Sequence, residues 1–173
     1  MNRSLTPTHG DSPIQKHQVL AANDLQWVDG MLTTLGSPTN YINQDGLDVL
    51  SITEARVAPW AFTGLPSSRP SEVIVVRERL QFLAFPEDAV LEQFRVAPHT
   101  ETLLINVGIA VIRGKAPFLS EAKLANFLDF WKGLFFPVTE ARVHFLATCV
   151  VDLPAEARLL YINRRAVQSY TPA

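Results

Sequence analysis

The sequence predicts an α+β, mainly β protein made of two homologous small β-modules, barrel- or sandwich-like, each with one short helix and related by a pseudo-twofold. Three observations predict it. Thr53-Glu54-Ala55-Arg56-Val57 recurs as Thr139-Glu140-Ala141-Arg142-Val143, 86 residues later. The same slide pairs Asn40 with Asn126, Tyr41 with Phe127, Ile42 with Leu128, Asn43 with Asp129 and Arg79 with Arg165, and lays the apolar run Val73–Val76 on Leu159–Ile162. No gap is needed from Asn40 to Gln81, and a fixed period with a matching apolar register is the mark of a repeat. Finally, twelve prolines punctuate short β-branched and aromatic runs, which favours strands and turns over long helices.

Composition bounds the rest. With 47% hydrophobic and 18% charged residues, 173 residues carry enough apolar material for a core and lie far from the disordered class. A net charge of −2 gives no general pull toward nucleic acid or anionic lipid. The one cysteine, Cys149, excludes an internal disulfide and a Cys-based zinc site, so a reducing, cytoplasmic setting is expected. Its apolar neighbours favour a buried structural thiol over a nucleophile. Residues 1–18 lack the apolar stretch of a secretory signal. The long apolar stretch Phe118–Val138 is interrupted by Glu121, Lys123, Asp129 and Lys132, so no membrane span is expected.

In chain order, residues 1–17 are polar and read as a flexible tail. Residues 18–85 form the first module, 86–99 a linker and 100–173 the second module. Val19-Leu20 and Leu25–Val28 read as short strands, and Asp29-Gly30 as a turn. Leu103–Ile112 followed by Arg113-Gly114 takes the same place in the second copy, at a spacing of 84. The helix of the second copy starts from Ser120 as N-cap, with Leu124, Phe127 and Leu128 on one face. That of the first is limited to Ser37–Asn43, with Pro38 in its first turn. Val49–Val57 and Phe135–Val143 are the clearest strands. Their apolar residues change faces at Thr-Glu, which predicts a bulge there. Ala58–Ser71, with four prolines and glycines, is a loop; Leu146–Leu153 is its more apolar counterpart. Val73–Val76 and Leu159–Ile162 read as buried strands. In the linker, Asp88 is placed to cap a short helix through Leu91 and Phe94.

The strand–short helix–strand pattern entering Thr-Glu-Ala is similar to an uncharacterised family of small bacterial β-domains, whose helical stretch reads like Arg-Leu-Ser-Asp-x-Leu-Asn. Ser37–Asn43 and Lys123–Asp129 are the matching residues here. The arginine of that pattern falls on Ser37 and Lys123, and its serine on Thr39 and Ala125. The resemblance implies a β-domain in tandem and no activity.

No catalytic constellation emerges. His9, His17, His99 and His144 have no ligand spacing, and Gly108 to Lys115 lacks both the glycine spacing and the Ser/Thr of a phosphate loop. No cofactor or metal is expected. Glu54/Arg56 and Glu140/Arg142, at i and i+2 on strands, are expected to form local salt bridges or to frame an anion site. Trp60, after Pro59 in a loop, is the aromatic expected to be exposed for a partner. Arg77, Arg79, Arg164 and Arg165 complete the candidate contacts. The function expected is a non-enzymatic protein-interaction or regulatory module. The alternatives are a small-ligand or nucleotide site in the cleft between the copies and, more weakly, nucleic-acid binding through the paired arginines.

Overall fold

The computed structural model describes residues 13–95, 97–118 and 123–173. The strands are β1 (Ile14–Asn23), β2 (Gln26–Leu35), β3 (Val49–Pro59), β4 (Glu72–Val76), β5 (Leu80–Ala84), β6 (Thr100–Asn106), β7 (Ala110–Pro117), β8 (Phe135–Phe145), β9 (Glu156–Asn163) and β10 (Ser169–Pro172). Two short helices, α1 (Pro38–Ile42) and α2 (Asp88–Gln93), complete the regular elements together with 3₁₀ turns at Ala61–Thr63, Arg77–Arg79 and Leu124–Phe130. The protein is mainly β. All ten strands form one antiparallel sheet in the order β10-β6-β7-β8-β9-β5-β1-β2-β3-β4. Among the described residues the sheet is open, with β10 and β4 as its two edges.

β1 and β2 are longer than the sequence reading allowed. β1 starts at Ile14, so residues 14–17 belong to a strand rather than to the expected tail, and residues 1–12 lie outside the described part. The Asp29-Gly30 turn is not there either. Gly30 sits inside β2, and Gly114 inside β7. A Cβ on Gly30 would come within 2.6 Å of Ile52 Cγ2 and 2.7 Å of the Thr53 carbonyl oxygen; on Gly114 it would be 2.5 Å from Val138 Cγ1. Glycine is required there for close approach of two strands, not for a turn.

What approaches is the expected bulge. Glu54 and Glu140 are the only non-glycine residues with positive φ among the described residues, at 53° and 51°. The β2–β3 register shifts between Asp29 and Met31, and the β7–β8 register between Arg113 and Lys115. A left-handed residue rotates the strand, so Ile52 and Ala55 both stay on the core side. It also undoes the expected local bridges. Glu54 pairs with Lys16 at 2.6 Å and Glu140 with Lys115 at 2.7 Å, instead of with Arg56 and Arg142.

The gapless slide of 86 holds only as far as β3 and β8. Leu50 stands across Val75, whereas Phe136 stands across Ile162. Val75 and Ile162 are 87 apart, so β4 is in register with Leu160–Asn163, and Arg77, not Arg79, stands in the place of an arginine of the second half, Arg164. In both cases the backbone N–H of that arginine donates to the carbonyl of the residue before β3 or β8: Arg77 to Asp48 and Arg164 to Leu134, each at 2.9 Å.

α1 begins as expected, with the Ser37 side chain accepting from the Asn40 N–H and Pro38 in the first turn. Its counterpart is a 3₁₀ turn, Leu124–Phe130, rather than an α-helix; Ser120 lies outside the described residues. In the linker, Glu87 rather than Asp88 precedes α2, without a side-chain cap, and Asp88 pairs with Arg158.

Two apolar cores form, and each takes residues from both halves. Val28, Leu50, Ile52 and Val57 pack with Phe135, Leu159 and Tyr161. Ile112, Phe136, Val138 and Val143 pack with Trp27, Trp60 and Phe82. The seam between the halves is the β5–β9 pair, Phe82 opposite Ile162 and Ala84 opposite Leu160. A pseudo-twofold at that seam would join like strands. β5 has the place in its half that β10 has in the other, so unlike strands meet and the halves follow head to tail. No helix of the described residues is long and apolar enough to cross a membrane.

Candidate functional site

The sheet ends on one side in an apolar edge. On β3 and β4, Val49, Ile74 and Val76 are 43%, 56% and 51% exposed. In register, their places in the second half are taken by Phe135, Tyr161 and Asn163, all at most 1% exposed. The difference is coverage. β5 pairs along β9, and α1 lies over the same region. Asn43 holds the backbone of Phe135 from both sides, its Oδ1 accepting from the N–H at 2.8 Å and its Nδ2 donating to the carbonyl at 3.1 Å. The Tyr161 hydroxyl bonds to that of Thr39, and its burial pushes its pKa above the ordinary 10.0 while this bond opposes the shift. Among the described residues, β4 has no strand on its outer side.

The opposite edge differs. β10 is four residues long, reads Ser-Tyr-Thr-Pro and ends in a proline that cannot donate to a ladder. Such short, polar, proline-bearing edges discourage strand addition, whereas an apolar edge invites it.

Trp60 is not exposed as the sequence suggested. It is completely buried, with Nε1 donating to the Asn23 carbonyl at 2.8 Å, and the indole packs near Phe145. The cover is the apolar loop of the second half: Ala61 N–H donates to the Thr148 carbonyl at 2.7 Å, and Trp60 bridges Cys149. Cys149 itself is half-buried, its thiol on the Val151 carbonyl.

Three of the four paired arginines are held by separate partners. Arg77 Nη1 donates to the carbonyls of Ile42 and Gln44, and Arg164 Nη1 to that of Trp131. Arg165 pairs with Glu78, leaving Arg79 exposed. Arg77 and Arg164 thus close the ends of the helical segments that precede β3 and β8, where carbonyls lack partners.

Arg56 and Arg142 border clefts instead. Arg142 lies in a groove of about 720 Å³ with Arg113, Lys115 and Arg158, balanced in part by Glu140 and Glu156. Arg113 is directly opposite Arg142 in register. Arg56 borders two adjoining basins of about 440 and 520 Å³, both shared with Arg69. Sequence reading missed Arg69, Arg113 and Arg158: the first sits in a loop, and the others become neighbours of Arg142 only through strand pairing. An apolar cavity of about 160 Å³ at the seam is lined by Leu20, Trp27, Phe82, Phe145 and Leu160. No cluster of three or more His, Cys, Asp or Glu suited to a metal occurs among the described residues.

Compared with protein-family models, with curated proteins and with solved structures, the chain matches none.

Proposed function

We propose that the two halves are copies of one five-stranded module, and that the chain is a non-enzymatic protein-interaction module with the free edge of β4 as its docking element. Support for the duplication lies in the registers. The spacing is 84 for β1 and β2, 86 for β3, and 87 for β4 and β5, and with those offsets the pairs Val19–Gly30, Val28–Val57, Leu50–Val75 and Leu20–Ala84 fall on Leu103–Gly114, Ile112–Val143, Phe136–Ile162 and Leu104–Thr171.

The docking role rests on one observation: Val49, Ile74 and Val76 are open where Phe135, Tyr161 and Asn163 are covered. The partner is a protein that lends an extended apolar strand, so that main-chain hydrogen bonds give affinity and alternate side chains give selectivity. A natural probe is a peptide with the sequence of residues 79–86, since β5 is what pairs with β9. It is expected to bind saturably and to slow amide exchange in β4. Ile74→Lys, at an exposed position, removes that binding without loss of fold. Binding that leaves the β4 amides unprotected, or that persists in Ile74→Lys, overturns the reading.

A further inference from the structure

The clefts around Arg56 carry a separate inference, independent of any docking at β4. We propose that Arg56 and Arg69 bind a phosphate monoester in the cleft between the two halves. The reasoning begins with a substitution between the halves. Val57 N–H donates to the Ser68 carbonyl at 2.9 Å, and Val143 N–H to the Ala155 carbonyl at 2.7 Å. Ser68 and Ala155 therefore hold the same place, and so do the residues that follow them, Arg69 and Glu156. In the second half, Glu156 pairs with Arg142, Oε1 to Nε at 3.4 Å. In the first half the residue in that place is a second cation. The ion pair of one half is a pair of like charges in the other.

Among the described residues, no acid replaces the missing carboxylate. Arg56 Nε is buried and has no hydrogen-bond partner, and among the described residues neither Arg56 nor Arg69 has an ion pair. Asp29, opposite Arg56 in register, accepts from Gln18 Nε2 at 3.3 Å, and Glu54 is engaged by Lys16. A buried guanidinium N–H without an acceptor is costly. Arg77 Nε is also without one, but the Ile42 and Gln44 carbonyls hold that guanidinium, whereas the Arg56 guanidinium has no hydrogen bond to any described residue.

The surroundings indicate which anion. Ser67 and Ser68 line one basin with the two arginines, and Ser71 lines the other together with Glu54, whose charge is engaged by Lys16. Guanidinium forks match the oxygen spacing of a phosphate, and a phosphate ester carries about −1.5 to −2 charge at pH 7, which balances two arginines where one carboxylate would not. Val150 and Val151, from the apolar loop of the second half, wall the same basin and offer a surface for the ester group.

The test uses the full chain, with thermal midpoints in inorganic phosphate and in chloride at matched ionic strength. At phosphate ten times its dissociation constant the midpoint is expected to rise by about 4 °C. Arg69→Glu rebuilds the ion pair seen at Arg142 and Glu156. It is expected to melt higher than the parent in chloride and to show no gain from phosphate. Arg142→Ala, in the other half, keeps the gain. Phenyl phosphate is expected to bind several-fold more tightly than inorganic phosphate, through Val150 and Val151. Equal midpoints of the parent in phosphate and chloride, or a gain retained by Arg69→Glu, overturns the site; phenyl phosphate binding no tighter than phosphate overturns its assignment to a monoester.

Discussion

The surface that the first half turns toward the second is apolar, whereas the same surface of the second half is polar or open. Trp27, Ala58, Trp60, Phe82 and Ala84 are buried in the seam core. At the corresponding places stand Val111, His144, Leu146, Ser169 and Thr171, of which Leu146 is 63% exposed. Were that surface apolar in the second half too, it would offer a further such half the same seam. The halves therefore differ in the surface that the first turns to the seam, while interior positions of each half, such as Ile52 and Val138 or Ala55 and Ala141, are apolar in both.

The strongest way to break this comparison is to cut the chain after Pro98. Each core loses the residues lent by the other half, among them Trp60, Phe82, Phe135 and Tyr161, and full burial of such side chains is worth about 1.5–3 kcal/mol each. Residues 99–173 alone are expected to self-associate, and residues 1–98 to be poorly folded, as gel filtration and thermal melting will show. Two monomeric halves with independent cooperative melts would sink the shared cores.

Next in size is a matched pair of truncations. Trp60→Ala removes a completely buried indole and its bond to Asn23, and is expected to cost about 3–5 kcal/mol in a denaturant melt. Leu146→Ala, in the same place of the other half, is expected within about 0.5 kcal/mol of the parent. Similar losses for the two would remove the asymmetry.

The smallest effect is at Tyr161. Tyr161→Phe loses the bond to Thr39, for about 1 kcal/mol at neutral pH. Because burial raises the pKa of this tyrosine above 10.0, the folded state holds its proton longer than the unfolded chain does. Its contribution is complete below pH 10 and declines as pH rises beyond it. The variant is expected to lack that part of the alkaline slope; an unchanged slope would place Tyr161 in contact with water.

The mainly β character and the bulge at Thr-Glu were legible because alternation and its interruption are local. So was the Pro38 helix start. Gly30 was misread as a turn because Asp-Gly marks turns when neighbours in sequence decide; here a strand twenty-two residues on, at Ile52, does. Trp60 was misread because Pro59 signals a loop, while its cover comes from Thr148 and Cys149. The exchange of Glu156 for Arg69 was hidden by the slide of 86, since those two residues are 87 apart. The change of offset from 86 at β3 and β8 to 87 at β4 and β9 is invisible in the apolar pattern and displaces every charge after it by one.

The seam also sets a timetable for synthesis. β5 finishes at Ala84, but its partner strand β9 spans Glu156–Asn163, so Phe82 emerges about eighty residues before Ile162. At roughly 5–20 residues per second, the edge of β5 stays unpaired for about 4–16 s on the ribosome. During that interval the nascent chain presents Trp27, Trp60 and Phe82 together with a bare strand edge, the kind of segment that chaperones hold and that neighbouring nascent chains capture. Synthesis of β9, rather than completion of the first half, is the event that pairs this edge.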